Sequence, residues 1–236
     1  MASVTLYTTG TFNGLKAVYA LNELKAHYGF EFAIKNVDIF SKKEQQEEWF
    51  QKINPNGKIP ALVDHKHGDF AIFESAAILL WLAEHYDPEN ILFPSAAESK
   101  ERSEVTQWLF WQMSGLGPIQ GQANLFINFA PEKIPFAINR YTDEVLRLYG
   151  VLEKHLSDGR QFVAAGRYTI ADLNLFGHIG AHNLQVGITL EKFPLVDAWL
   201  HRIAQKQAVL DAFEQFGNKL IQNDFRKPAP VPAPSA

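Results

Sequence analysis

Two short runs in the first third of the chain hold residue types that could do chemistry at a fixed separation. They are Asn54-Pro55-Asn56-Gly57-Lys58-Ile59-Pro60-Ala61-Leu62-Val63-Asp64 and Phe73-Glu74-Ser75-Ala76-Ala77-Ile78-Leu79. Gly57-Lys58-Ile59-Pro60 leads into an apolar strand. Proline cannot donate to a sheet ladder, so Pro60 belongs at a strand's first residue or in a tight turn. A cis peptide bond suits such a place. In a cis turn the Ile59 N–H and C=O face outward, where they can pair with the peptide backbone of a ligand. Glu74-Ser75 stands at the mouth of a predicted helix. Ser75 can cap that helix, and the unpaired N–H groups beyond it attract a carboxylate. Glu74 adds an acceptor for an ammonium. Together these devices suit an α-amino-acid headgroup joined to a peptide.

Composition narrows the chemistry further. The chain has 236 residues, enough for one large or two small domains with real cores. Hydrophobic residues make up 47% and charged residues 20%, an ordinary globular balance. A net charge of −4 gives no reason to expect nucleic acid or an anionic membrane as partner. No apolar run reaches about 18 residues, so no membrane span is predicted. Met-Ala-Ser-Val-Thr-Leu lacks a basic segment followed by an apolar core, and the expectation is a cytoplasmic protein without a signal peptide. Cysteine is absent, which excludes disulfide staples, thiolate metal sites and a protein-borne thiol nucleophile. If this chain does thiol chemistry, the sulfur belongs to a bound ligand. The histidines suggest no carboxylate-flanked ligand cluster, so no metal is expected. His65 and His67 read as turn residues.

The elements that must position these residues follow from hydrophobic pattern and punctuation. Val4 to Tyr7 reads as a strand, Asn13 to His27 as a helix and Phe32 to Ile39 as a second strand. Lys43 to Lys52 is charged and reads as helical. Ala61 to Asp64 and Phe70 to Phe73 read as adjacent strands, and Ser75 to Tyr86 as an apolar helix. The order βαβαββα suggests parallel strands joined by a helical crossover. From Ser99 onward only helical patterns occur. The first runs toward Phe129 and is expected to kink at Gly115-Leu116-Gly117-Pro118. Pro135 to Leu156 is a second. Thr169-Ile170-Ala171-Asp172 opens a third with a capping box that uses Asp. Val196 to Ala204 and Gln207 to Asn223 complete the set. The proline-rich end, 227–236, is expected to be extended and mobile.

Thr11-Phe12-Asn13-Gly14 and Trp108-Leu109-Phe110-Trp111-Gln112-Met113-Ser114-Gly115-Leu116-Gly117-Pro118 join the first two runs in an order and spacing that resembles the glutathione transferase family. The resemblance covers nearly the whole chain. Within the family it is closest to the nu class, which includes fungal nitrogen-regulator-like proteins and bacterial disulfide-bond oxidoreductases. It implies an α/β thioredoxin-like glutathione-binding domain at 1–86, a linker at 87–98, an all-α domain at 99–226 and the tail at 227–236.

The resemblance also implies roles. Glutathione is the expected substrate, with its γ-glutamyl carboxylate at Ser75, its ammonium at Glu74 and its cysteinyl backbone on Ile59, before Pro60. Its thiol then points toward the segment from Thr8 to Gly14. A thiol has a pKa of about 8.5 and attacks only as thiolate. Asn13 aligns with the sulfur contact and Thr11 with a neighbouring hydroxyl, and both would favour the charged form by donating to it. Asn13 can also be read as a helix N-cap, and the two roles can coexist. Tyr7 and Thr9 are alternative sulfur partners. Phe12 stands where the family commonly has proline. Gln45 and Lys58 are candidates for the glycyl end, against the plainer reading of solvated side chains. Trp111, Leu116, Asn124 and Arg140, with Phe12, are the candidates for an electrophile or second glutathione, Arg140 being the one implied to hold the latter. For the aromatic residues Trp108, Phe110, Phe126 and Phe129 around the expected kink, core packing is the alternative; Tyr168 is a further lining candidate.

The implied activity is disulfide reduction by a glutathione thiolate, together with conjugation to small electrophiles, in a homodimer. The alternative is a non-catalytic glutathione-binding regulator or ligand carrier.

Overall fold

The computed structural model describes residues 2–217. Its N-terminal half is a four-stranded mixed sheet with helices. β1 (Val4–Thr8) buries alternate residues and runs parallel to β2 (Phe32–Asn36) through the crossover helix α1 (Phe12–Tyr28). Gly29, at φ 65, ends α1 by giving its N–H to the Lys25 carbonyl, the left-handed stop that glycine adopts without a Cβ penalty. A 3-10 turn (Glu44–Gln46) and the single-turn α2 (Glu48–Gln51) follow. β3 (Ala61–Asp64) and β4 (Phe70–Phe73) are antiparallel, and α3 (Ser75–Tyr86) closes the unit. The sheet order is β2-β1-β3-β4, with β3 antiparallel to β1. This is the thioredoxin-like arrangement.

Two expected elements are shorter in the molecule. The strand expected to reach Ile39 ends at Asn36, because Asp38 turns the chain by accepting from Phe40 and Ser41 N–H groups. The charged stretch from Lys43 to Lys52 is not one helix. Lys43 takes φ 56 and Glu47 is extended, so the stretch divides into the 3-10 turn and α2.

Asp87 to Glu98 contains no helix or strand. Buried Asp87 pins it, accepting from Tyr28 Oη and from the N–H groups of Ile91 and Leu92. The C-terminal half is helical: α4 (Ser99–Trp111), a π-helical turn (Gln112–Leu116), α5 (Gly117–Asn124), a second π-helical turn (Leu125–Phe129), α6 (Pro135–Leu156), α7 (Ile170–Ile179), α8 (His182–Val186), α9 (Pro194–Ala204) and α10 (Gln207–Phe216). At the place of the expected kink the helix widens into the first π turn, which ends at Leu116. Pro118 enters the first turn of α5, where a missing N–H is tolerated. The remainder of the expected helix to Asn223, and the tail from 227, lie outside the described residues.

Every residue of α7 is buried. Thr169 and Asp172 form its capping box, and the Asp172 carboxylate also accepts from Trp199 Nε1 at 2.9 Å and Val163 N–H at 3.0 Å. This helix packs against α1 and α4, so it joins the two halves of the molecule.

Candidate active site

The loop before β3 is organised by Asn54, a buried side chain. Its Nδ2 donates to the Lys58 carbonyl at 2.5 Å and its Oδ1 accepts from Asn56 N–H at 2.9 Å. Gly57 has φ 62, and a Cβ there would meet the Gln45 carbonyl oxygen at 3.2 Å. The Ile59–Pro60 bond is cis. Lys58, Ile59 and Pro60 thereby reach one side of a cleft of about 560 Å³ between the two halves. Gln45 stands behind Gly57 rather than in the cleft, and its Oε1 is buried with no hydrogen-bond partner among the described residues.

Glu74 and Ser75 form the next stretch of wall. Glu74, not Ser75, occupies the N-cap position of α3, and it makes no side-chain cap bond. Its backbone has φ 72 and ψ 118, a region that costs a non-glycine residue on the order of 1–3 kcal/mol. Ser75 is the first helical residue. Its buried hydroxyl accepts from Lys16 Nζ at 3.4 Å and donates to Met113 Sδ at 3.6 Å.

At the mouth of α1 the cap is Thr11, whose hydroxyl accepts from Gly14 N–H at 3.2 Å. Asn13 is therefore not the cap. It is an exposed residue of the first turn, lies in the cleft, and its side-chain amide has no hydrogen-bond partner among the described residues. Only glycine fits at Gly14, where a Cβ would lie 2.1 Å from Thr8 Oγ1 and 2.5 Å from the Thr9 carbonyl. Tyr7 packs elsewhere, against Trp49 at 6.1 Å between ring centroids and beneath the Lys35 ammonium.

The opposite wall comes from the helical half and includes Gln112, Met113, Gly117 and His178. Gln112 and Met113 are carried by the π turn, and Gly117 leaves room beside them: a Cβ there would meet Gln112 Nε2 at 2.8 Å and His178 Nε2 at 3.6 Å. His178 is buried on α7 and its Nδ1 has no partner among the described residues. Burial, assisted by the nearby Lys16 ammonium, pushes its pKa well below the ordinary histidine value and keeps the ring neutral.

Lys16 is the residue that sequence patterning passed over. It is fully buried, and burial lowers its pKa from 10.5 to about 7 against the opposing pull of Glu74. Its ammonium donates to Gln112 Oε1 at 2.8 Å and contacts Ser75 Oγ and Met113 Sδ. The available signal was a charge inside the run Leu15-Lys16-Ala17-Val18, whose neighbours are all buried.

The expected second-site residues do not gather in the cleft. Trp111 packs on Trp108 at 5.0 Å, and Trp108 on His155 at 4.4 Å. Leu116 is buried in the core. Asn124 accepts from Asn128 Nδ2 at 2.8 Å, and Arg140 is exposed on α6. Phe12 stands at the flank of the cleft, its ring 6.2 Å from that of His178. Tyr168 lines a different hollow, with Glu23 and Arg167. His178 and His182 are four residues apart, a metal-ligand spacing, yet α7 ends between them and His182 Nδ1 donates to the Ile179 carbonyl at 2.9 Å. Among the described residues no group of three or more His, Asp or Glu could hold a metal, and no helix is long and apolar enough to cross a membrane.

Comparison with known proteins places this geometry in a family. Residues 2–84 match the glutathione S-transferase N-terminal domain, and residues 137–207 match the C-terminal domain. The chain is 39% identical over 237 residues to glutathione S-transferase 2 of Schizosaccharomyces pombe, covering 94% of this chain and 100% of that one. It is 40% identical over 209 residues to the disulfide-bond oxidoreductase YfcG of Escherichia coli, covering 87% of this chain and 92% of that one. Among solved structures, the glutathione transferase URE2P6 of Phanerochaete chrysosporium, in complex with oxidised glutathione, superposes with a TM-score of 0.84 at 35% identity, over 92% of this chain and 97% of that one.

Proposed function

The chain belongs to the glutathione S-transferase family, and from that premise we propose that it is an enzyme that binds glutathione in the interdomain cleft and uses its thiolate to reduce disulfides and to conjugate small electrophiles. One observation carries the reading above the rest. Asn13, Ile59, Glu74 and Ser75 converge on a single cleft in a chain that has no cysteine. The γ-glutamyl headgroup sits at Glu74 and Ser75, the cysteinyl backbone pairs with Ile59, and the sulfur lies toward Asn13. The unpartnered amide of Asn13 and the first-turn N–H groups of α1 donate to the thiolate.

With a disulfide that carries a glutathionyl half, the bound thiolate attacks the glutathionyl sulfur. A new S–S bond forms, the old one breaks, and oxidised glutathione leaves with the other thiol, which takes a proton from water. Holding both sulfurs in one cleft replaces a bimolecular encounter. With a chloro-nitroaromatic acceptor a C–S bond forms and chloride departs. The name of the Escherichia coli relative and the oxidised glutathione in the Phanerochaete chrysosporium structure both support disulfide chemistry.

The same reading assigns glutathione binding to 1–86 and the electrophile wall to 99–226, joined by 87–98, in a homodimer. Phe70 and Phe73 on the edge strand β4 and Phe110 on α4 are large exposed apolar side chains that a second copy would cover. Sedimentation at micromolar concentration should give about twice 26.7 kDa, and a species at 26.7 kDa overturns the dimer.

Turnover with a glutathione-linked disulfide, run beside a chloro-nitroaromatic acceptor, tests the activity. Glutathione binding with no turnover of either substrate would make the chain a carrier rather than an enzyme.

A further inference from the structure

We propose that Lys16 is the positioning residue for the anionic end of this cleft: buried beneath the wall, it holds Ser75, Gln112 and Met113 together and gains a proton when a ligand carboxylate settles against Ser75. The inference rests on the reading that glutathione occupies the cleft.

Geometry comes first. The three groups that the Lys16 ammonium touches, Ser75 Oγ, Gln112 Oε1 and Met113 Sδ, belong to residues that line the cleft. Lys16 itself is fully buried and reaches the ligand space only through them. One partner comes from α3 and two from the π turn, so a single ammonium sets the spacing of the two walls. An ammonium has three donors, and here they meet three groups that carry no charge.

That arrangement lacks a counterion. The charged or titratable groups that act on Lys16 are Glu74, at the mouth of α3, and His178, on α7. Glu74 is exposed to solvent, which weakens its pull, and His178 is held neutral. A buried cation without a close anion is costly. Gln112 Nε2 and His178 Nδ1, in the same wall, are also buried without partners among the described residues. A carboxylate bound at Ser75 would place a negative charge one hydrogen bond from Lys16 Nζ, which favours the ammonium. Burial leaves free Lys16 with a pKa of about 7. A ligand carboxylate raises that value, so binding should draw a proton onto Lys16 at and above neutral pH.

Isothermal titration calorimetry with S-methylglutathione removes the thiol hydrogen from the count; the ligand's α-amino group, which titrates at about pH 8, contributes alike to the wild type and to a Lys16 variant, so the difference between the two reports Lys16. The binding heat of the wild-type protein should depend on buffer ionisation enthalpy, in phosphate against Tris near pH 7.5, with net proton uptake. Affinity should fall as pH rises from about 7 to 9. Lys16→Met should bind about tenfold more weakly, the scale of one lost charge-assisted interaction, with less proton uptake than the wild type and a shallower pH dependence. Wild-type binding without uptake overturns the inference, as does a Lys16 variant whose proton uptake equals that of the wild type. If Lys16→Met does not fold, Lys16→Gln carries the same comparison. Absence of wild-type binding to S-methylglutathione and to glutathione alike overturns the glutathione reading, and this inference with it.

Discussion

The carbonyl oxygen of Phe12, at the first residue of α1, lies against the bare Cα of Gly177 in α7, where a Cβ would sit 2.9 Å away. The segment that leads to Asn13 is thus docked on the helical half backbone to backbone. Helix α7 has little freedom to retreat, because all ten of its residues are buried and its cap is tied to Trp199.

Gly177→Ala should therefore push the start of α1 outward. Backbone is a poor partner for a clash, and overpacking of this kind costs about 1–3 kcal/mol. The melting temperature should drop by several degrees, and turnover should fall further than the loss of folded protein explains. A variant with unchanged melting and activity would mean that the two helices part without consequence.

The loop that carries Ile59 depends on one side chain. Asn54→Ala leaves the Lys58 carbonyl and the Asn56 N–H without their buried partner, at about 1–3 kcal/mol. The expected outcome is weaker glutathione binding with only a modest fall in thermal stability, since the loop lies at the edge of the core. Calorimetric affinity measured beside a thermal melt separates the two. Loss of stability with intact affinity would make Asn54 a folding residue only.

Several elements of the thioredoxin-like half were readable because their signals are local, whereas its topology came from the family resemblance. β3, β4 and α3 occupy the spans expected from apolar runs bounded by Pro60, Gly68 and Ser75, and Pro135 to Leu156 carries a complete amphipathic pattern in α6. The π turn was not readable. Pro118 is a loud signal for a kink, whereas the wider turn depends on how Gln112 and Gly117 pack, which spacing does not encode. The charged stretch at Lys43 to Lys52 has helical composition but is too short to sustain a helix without tertiary support. The cleft divides the same way. Ile59, Glu74 and Ser75 lie within short contiguous runs, while Lys16, Gln112 and His178 come from three elements and meet only in the folded chain.

Lys16 also makes a statement about stability. Its folded pKa of about 7 lies below the unfolded value, so the unfolded chain binds the proton more readily between about pH 7 and 10. The stability this contributes is present above the unfolded pKa and is lost as pH falls through about 7. Lys16→Met removes that dependence. The ligand-free variant should melt at a higher temperature than the wild type at pH 7, by an effect on the order of 4 kcal/mol at most, reduced by the partner that Gln112 loses. A lower melting temperature at pH 7, with the wild-type pH slope retained, would make Lys16 an ordinary structural contact.

The final prediction separates sulfur activation from recognition of a second glutathione. Asn13 lies in the cleft with its amide unpaired, and on the proposed reading the thiol is glutathione's, since the chain has none. Asn13→Ala should lower turnover of disulfides and carbon electrophiles alike, roughly 10- to 100-fold, since the amide acts on the thiolate common to both. The apparent thiol pKa in the complex, read from the thiolate absorbance of bound glutathione, should rise in that variant. Unchanged turnover and pKa would shift the sulfur contact to Thr11 or Thr9, whose hydroxyls flank the same turn, and Thr11→Val would then carry the loss. Arg140 stands exposed on α6, outside the residues that line the cleft. A role for it requires that a disulfide substrate extend beyond the cleft toward α6 and present a carboxylate there. Arg140→Ala should then raise KM for glutathione-linked disulfides while leaving a chloro-nitroaromatic acceptor untouched. Equal losses on both substrates, or none on either, would remove Arg140 from recognition and leave the second glutathione to the wall formed by Gln112, Met113 and His178.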